Sequence, residues 1–170
     1  ILETVQKTYE FCSQLSCSFE LIVVDDGSTD GTGSTLGRVK KDNFQAITHS
    51  SNQGKGAEVK TGMKKATGDW VLFMDADLST SLTAISEALE YINDFDVIIG
   101  SRALPESKIT QHQVFIKEWA GKLGNKLIKA GLGLSNNDTQ CGFKMFSRRA
   151  KKVFNYQTID RFGFDFELLK

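Results

Sequence analysis

Short apolar runs recur along the chain, each closing on a turn-forming or acidic cluster, with amphipathic stretches between them. Leu21-Ile22-Val23-Val24 is continuous and apolar, the pattern of a strand covered on both faces, as in parallel sheets. It gives way to Asp25-Asp26-Gly27-Ser28-Thr29-Asp30-Gly31-Thr32, a turn-rich loop from which a helix can begin. Residues 44–48 read as a weaker strand. Gly68-Asp69 turns into a third, residues 70–74, and residues 96–100 form a fourth. Helical spacing marks residues 1–15, with Leu2, Val5, Tyr9 and Cys12 on one face. It recurs over residues 56–66, with Val59, Met63 and Ala66, and in the stretch carrying Leu82, Ile85, Leu89 and Ile92. Strands alternating with helices predict crossover units with parallel strands, hence an α/β sandwich.

The pattern changes after residue 100. Ser101 to Gln111 is a polar connection holding the one proline, Pro105. A long helix is predicted over residues 114–130, with Phe115, Trp119, Leu123 and Leu127 along one side. A turn at 138–142, a strand at 143–146 and a short helix at 148–154 follow. At 170 residues, with 40 % apolar and 25 % charged positions, the chain suits one soluble globular domain with its own core. Zero formal net charge gives no global field toward nucleic acid. Three cysteines with no C-x-x-C, and two histidines, argue against a zinc site or disulfide framework and for a reducing compartment. No apolar run approaches the ~20 residues that span a bilayer. The chain opens without Met on a helical pattern and runs out on Phe166-Glu167-Leu168-Leu169-Lys170 with no stop signal. The expectation is therefore a single domain, residues 1–170, cut at both ends, with anchors beyond either end.

Ligands of open α/β sheets bind beyond the carboxyl ends of the strands. Asp25-Asp26, Asp75-Ala76-Asp77 and Arg102 all fall at such ends. Two carboxylates one small residue apart can face one hard cation, and Mg²⁺ or Mn²⁺ takes oxygen ligands while sharing its shell with substrate phosphates. A bare D-x-D is a weak signal, because aspartates also make turns, and Ser79 is placed to cap the following helix. Asp25 and Asp26 are expected to face a nucleotide base, and Asp30 to start a helix. Asn52-Gln53-Gly54-Lys55-Gly56 has the look of a phosphate loop leading into a helix, although it is neither G-x-x-x-x-G-K-[ST] nor G-x-G-x-x-G. Arg102, Lys117, Lys122 and Lys144 are candidates for a second anion, while His49 and His112 read as surface or loop residues.

Taken in order, residues 21–32, 52–56 and 68–80, with Gly100-Ser101-Arg102 and Asp138-Thr139-Gln140-Cys141-Gly142-Phe143-Lys144, resemble family 2 glycosyltransferases of the GT-A fold. The likeness runs over nearly the whole chain and is nearest to the polyprenyl-phosphate branch that includes dolichyl-phosphate β-glucosyltransferases. It implies a Rossmann-like α/β/α sandwich with a mostly parallel central sheet. It also implies a nucleotide-sugar donor such as UDP-glucose, a divalent metal (Mg²⁺ or Mn²⁺), and a polyprenyl phosphate acceptor at the cytosolic face of a membrane. Asp75, Ala76 and Asp77 then lie at the donor diphosphate, Asp75 and Asp77 on the metal, and Asp25, Asp26 and Lys55 on the rest of the donor. Arg102 matches the arginine that meets the acceptor phosphate, and Lys122 stands where the family has a second arginine, without its bidentate fork. Ser79 stands where related mannosyl enzymes carry a Gln ligand. The resemblance implies that the family's first strand, with its Pro-x-Tyr-Asn-Glu loop, precedes Ile1 and that the segment closing the site and leading to membrane helices follows Lys170.

These residues imply inverting transfer, with the acceptor phosphate attacking the anomeric carbon as UDP departs. Asp77 and Arg102 would be the catalytic groups, and Lys144 would join Arg102 and Lys122 on the acceptor phosphate. An ionised phosphate needs no strong general base, so catalysis rests on positioning and electrostatics. Rival readings are a family 2 transferase with another nucleotide-sugar or with a hydroxyl acceptor, for which Asp138, Asp165 or Glu167 could supply the base, and a non-catalytic nucleotide-binding module.

Overall fold

A computed structural model describes residues 1–101 and 141–169 of the chain. In order along the sequence they form α1 (Leu2–Ser13), β1 (Leu21–Asp25), α2 (Thr32–Leu36), β2 (Phe44–Thr48), α3 (Lys55–Lys65), β3 (Trp70–Met74), α4 (Thr83–Leu89), β4 (Val97–Ile99), β5 (Phe143–Ser147), a 3₁₀ helix (Ala150–Asn155) and α5 (Phe164–Leu168).

Each expected strand is present within a residue or two of its predicted place. β1 and β2 pair in parallel from Leu21↔Phe44 to Asp25↔Thr48. The other sheet has the order β3-β5-β4. β5 runs antiparallel to both neighbours, pairing Met74 with Phe143 and Ile99 with Lys144. β3 and β4 therefore point the same way, as the crossover pattern predicts, but they are not neighbours. A strand from the end of the sequence lies between them, and only long-range pairing could reveal that.

Side chains alternate across a strand, and both faces of this second sheet are covered. Val71, Phe73 and Phe146 face a core with Met63 of α3, Phe154 of the 3₁₀ helix, and Phe164 and Leu168 of α5. Trp70, Leu72, Phe143 and Met145 face a second core with Ile85 and Ala88 of α4 and with Phe11 and Leu15 at the end of α1. Double coverage explains why residues 70–74 are apolar without alternation. The result is the helix–sheet–helix layering of the GT-A class.

Three local expectations change. Leu2 is exposed, and Thr8 takes a buried place on α1 beside Val5. Ser79 does not cap α4; Ser81 Oγ lies 3.3 Å from the Thr83 N–H at its start. Asp30 accepts the Thr32 N–H at 3.0 Å, but Gly31, at φ 87°, is the residue preceding α2. The helix expected at 114–130 lies outside the described residues. Among the described residues no helix is long and apolar enough to cross a membrane.

Candidate active site

β1, β2 and β3 deliver Asp25-Asp26, His49 and Asp75 near the start of α3. Asp25 is 5 % exposed; its Oδ1 accepts the Ser28 N–H at 3.2 Å. Its buried Oδ2 has no hydrogen-bond partner among the described residues. Gly33 makes room for it, since a Cβ there would sit 2.7 Å from that oxygen. Asp26 is spoken for by protein: its carboxylate accepts the N–H groups of Gln53 (2.9 Å) and Gly54 (2.7 Å) and meets His49 Nδ1 at 2.8 Å. Burial works against its charge, but these bonds prevail and hold the carboxyl below its usual value. His49 is no surface residue. It is nearly enclosed and bridges Asp26 to Thr61 Oγ1 of α3, 3.0 Å from Nε2. Its place directly after β2 was the available signal, because β2 ends on the same sheet edge.

The glycine-rich segment is organised differently from an anion cradle. The Gln53 and Gly54 N–H groups serve Asp26, and the Ala57 N–H donates to Asp160 O at 2.9 Å. Gly54, at φ 106°, and Gly56 let residues 159–161 lie against the helix start; a Cβ on Gly56 would come within 2.4 Å of Ile159 O. What this segment offers the site is Lys55, whose ammonium donates to Asp75 Oδ1 at 2.6 Å.

Asp75 is fixed from three sides. Its N–H donates to Gly142 O at 3.0 Å, Lys55 holds Oδ1, and Oδ2 lies where a Cβ on Gly142 would be, 1.9 Å away. The turn that follows places Leu78 at φ 55°, the one non-glycine with positive φ among the described residues. Such strain persists only where the surroundings enforce it. Here Leu78 N–H donates to Asp75 O at 3.2 Å, Ser79 N–H to Asp77 Oδ1 at 2.9 Å, and Thr4 Oγ1 of α1 to Ala76 O at 3.0 Å. Asp77 is exposed beyond Asp75. No group of three or more His, Cys, Asp or Glu among the described residues converges as a metal cage. Asp75 and Asp77 are the carboxylates here that could hold an ion of the Mg²⁺ type, which takes one or two protein carboxylates and fills its shell with phosphate and water, although Lys55 already meets Asp75 Oδ1 and the Ser79 N–H meets Asp77 Oδ1.

Behind Asp75 lies a second ion pair. Lys144 of β5 is fully buried, donates to Asp165 Oδ1 at 2.5 Å and to Cys141 O at 2.7 Å, and sits over the Phe73 ring. Burial pushes the Asp165 carboxyl above its usual range, and the Lys144 charge offsets this only in part. The expected contact between Lys144 and a substrate phosphate would require this pair to open. Glu58, which sequence reasoning missed, is half-buried on the first turns of α3. Burial raises its carboxyl, and Asp26 and Asp75 raise it further, against the pull of Lys55 and His49. Its position three residues after Lys55, one helical turn on, was the signal available. Arg102, Lys117, Lys122 and Asp138 lie outside the described residues.

Comparison with known proteins bears on the family and the fold. The family described as glycosyl transferase family 2 matches residues 2–154. The chain belongs to glycosyltransferase family 2. It is similar to dolichyl-phosphate beta-glucosyltransferases of Trichomonas vaginalis (33 % identity, 97 % of this chain and 55 % of the relative), Drosophila melanogaster (35 %, 89 % and 50 %) and Homo sapiens (30 %, 89 % and 51 %). The chain thus spans about half the length of the curated relatives it matches. Among solved structures, the crystal structure of S. aureus TarS 1-349 resembles it with a TM-score of 0.58 at 18 % identity, over 98 % of this chain and 51 % of that one. At that identity the likeness bears on the fold alone.

Proposed function

We propose that this chain carries the catalytic domain of an inverting glycosyltransferase that moves glucose from UDP-glucose to a polyprenyl or dolichyl phosphate at the cytosolic face of a membrane. The observation that carries the reading is the Lys55–Asp75 pair, which ties the start of α3 to the end of β3 with Asp77 exposed beyond it. The sugar and the lipid acceptor come from the relatives named dolichyl-phosphate beta-glucosyltransferase.

In this reading Asp75 and Asp77 hold a divalent metal, Mg²⁺ or Mn²⁺, that neutralises charge growing on the departing diphosphate. Lys55 keeps the Asp75 carboxylate aimed and adds a positive charge beside the same diphosphate. Asp25, whose Oδ2 has no hydrogen-bond partner among the described residues, is the group suited to a nucleotide base N–H, whereas Asp26 serves by shaping the 52–54 loop. Arg102 and Lys122 meet the acceptor phosphate, which is ionised at neutral pH and needs no base to attack. A hydroxyl acceptor would need one; among the described candidates Asp165 is enclosed and bonded to Lys144, and Glu167 accepts the Thr158 and Ile159 N–H groups, which favours the phosphate acceptor.

The test is a screen of UDP- and GDP-sugars against polyprenyl phosphate. Glucose transfer from UDP-glucose is expected, and Asp77→Ala should reduce it by at least about 100-fold, the scale seen when one electrostatic stabiliser is removed. Transfer at the wild-type rate by Asp77→Ala would falsify the reading.

A further inference from the structure

Seven large apolar side chains are exposed among the described residues, and three of them, Tyr156, Ile159 and Phe162, fall in one seven-residue stretch. Tyr156 (80 %) and Phe162 (83 %) are the most exposed of the seven. The stretch is not loose. Gln157 is buried, and its Nε2 donates to Gly56 O at 2.9 Å and Ile159 O at 2.8 Å. Lys60 Nζ of α3 donates to Gln157 O at 2.7 Å, and Asp160 O accepts the Ala57 N–H. Glu167 of α5 accepts the N–H groups of Thr158 and Ile159 at 2.8 and 2.9 Å. The backbone is thus a strap bolted to α3 and α5, and its aromatic side chains are held out in water by a rigid mount. Apolar surface held in water forgoes the free energy of burial, so two exposed aromatic side chains on one firmly mounted short stretch mark a contact surface.

Charge narrows the partner. Between residues 148 and 161 stand Arg148, Arg149, Lys151, Lys152 and Arg161, against the single acid Asp160. Arg148 and Arg149 are engaged by Asp69 and Asp96, and Lys151 by Ala66 O. Lys152, four residues before Tyr156, and Arg161, next to Phe162, are both exposed. Aromatic rings at the polar–apolar boundary with cations at headgroup level form the composition of a membrane-surface contact. The strap also borders the site: a Cβ on Gly54, the residue before Lys55, would lie 2.7 Å from Arg161 Cγ.

We propose that the strap from Tyr156 to Phe162 seats the protein on an anionic bilayer, with Tyr156 and Phe162 entering the headgroup–acyl boundary and Lys152 and Arg161 meeting lipid phosphates. This rests on the lipid-phosphate acceptor proposed above and adds to it. An acceptor whose chain stays in the bilayer presents its phosphate at the surface, and the strap holds the start of α3, with Lys55 and Asp75, near that surface.

The test is co-sedimentation of the chain with phosphatidylcholine vesicles, with and without phosphatidylserine, for wild type and for the double variant Tyr156→Ser/Phe162→Ser. Both positions are exposed, so an unchanged melting temperature is the folding control. Binding to phosphatidylserine vesicles is expected, weakened by salt and reduced at least about 5-fold by the double variant. With polyprenyl phosphate embedded in vesicles, the variant should show a raised KM; with a short water-soluble prenyl phosphate it should match wild type. Vesicle binding that depends on these aromatics, without transfer to either acceptor, would support the strap and sink the acceptor reading instead. The proposal is overturned if the wild type ignores anionic vesicles, if the variant binds as well as wild type, or if the wild type is a dimer that the variant dissolves, since a second copy would then cover the aromatics.

Discussion

Glu58 shows how position, more than residue type, decides what a side chain can do. In the sequence it is an ordinary glutamate among lysines on a predicted helix. Folding half-buries it and brings the charges of Asp26 and Asp75 near, so its carboxyl is raised above the value of a free chain. A raised acid favours the fold when protonated, and that stability is lost as pH climbs from the unfolded value through the higher folded one. Glu58→Gln should therefore stabilise the protein at pH 7 and have little effect near pH 4. The expected rise in melting temperature at pH 7 is roughly 1 to 3 °C, what up to about 1 kcal/mol gives in a domain of this size. An equal shift at both pH values, by calorimetry, would mean that charge is not the cause. Gly142 and Asp75 teach the same lesson from the other side. The C-G-F-K segment drew attention for its lysine, yet its glycine is what leaves space for the Asp75 carboxylate.

At the scale of elements, the carboxyl ends of β1 and β2 and the start of α3 are joined through Asp26. One side chain satisfies two backbone N–H groups and orients His49, which in turn meets α3 at Thr61. Hydrogen bonds to a charged acceptor contribute more than neutral ones, and Asp26→Asn should cost about 2 kcal/mol. The Asp26 carboxyl is depressed in the fold, so its contribution is complete above about pH 4, where an unfolded aspartate is ionised. It is lost as pH falls through the lower folded value. The gap in urea midpoint between wild type and Asp26→Asn should accordingly be full at pH 7 and narrow in acid. A gap that is constant with pH would show that the loop does not depend on the Asp26 charge.

For the whole molecule, the two layers of helix are held to the sheet by side chains far apart in sequence. Phe154, with no exposure, packs edge-on against Phe146 at 5.2 Å and shares a core with α3, β3 and α5. Phe154→Ala should cost about 3 to 5 kcal/mol, a large part of the roughly 5 to 15 that hold a domain together. Urea unfolding measures it, and a loss below about 1 kcal/mol would mean that this core does not act as one unit. The order of strands and helices through residue 100, the covering of the apolar run at 70–74, and the placing of Asp25, Asp75 and Asp77 at strand ends were all legible in the sequence. Apolar periodicity and turn chemistry are local properties, read within a few residues. Other features were not legible in it: β5 between β3 and β4, α5 from five residues, Lys144 sealed against Asp165, and the loop amides committed to Asp26 and Asp160 instead of a phosphate. Each depends on which distant groups meet, and a chain does not display its long-range contacts until it has folded. The sequence determined which side chains stand at the sheet edge; tertiary structure decided which of them hold one another, because a buried charge or N–H without a partner is costly and groups distant in sequence supply that partner only once the chain has folded.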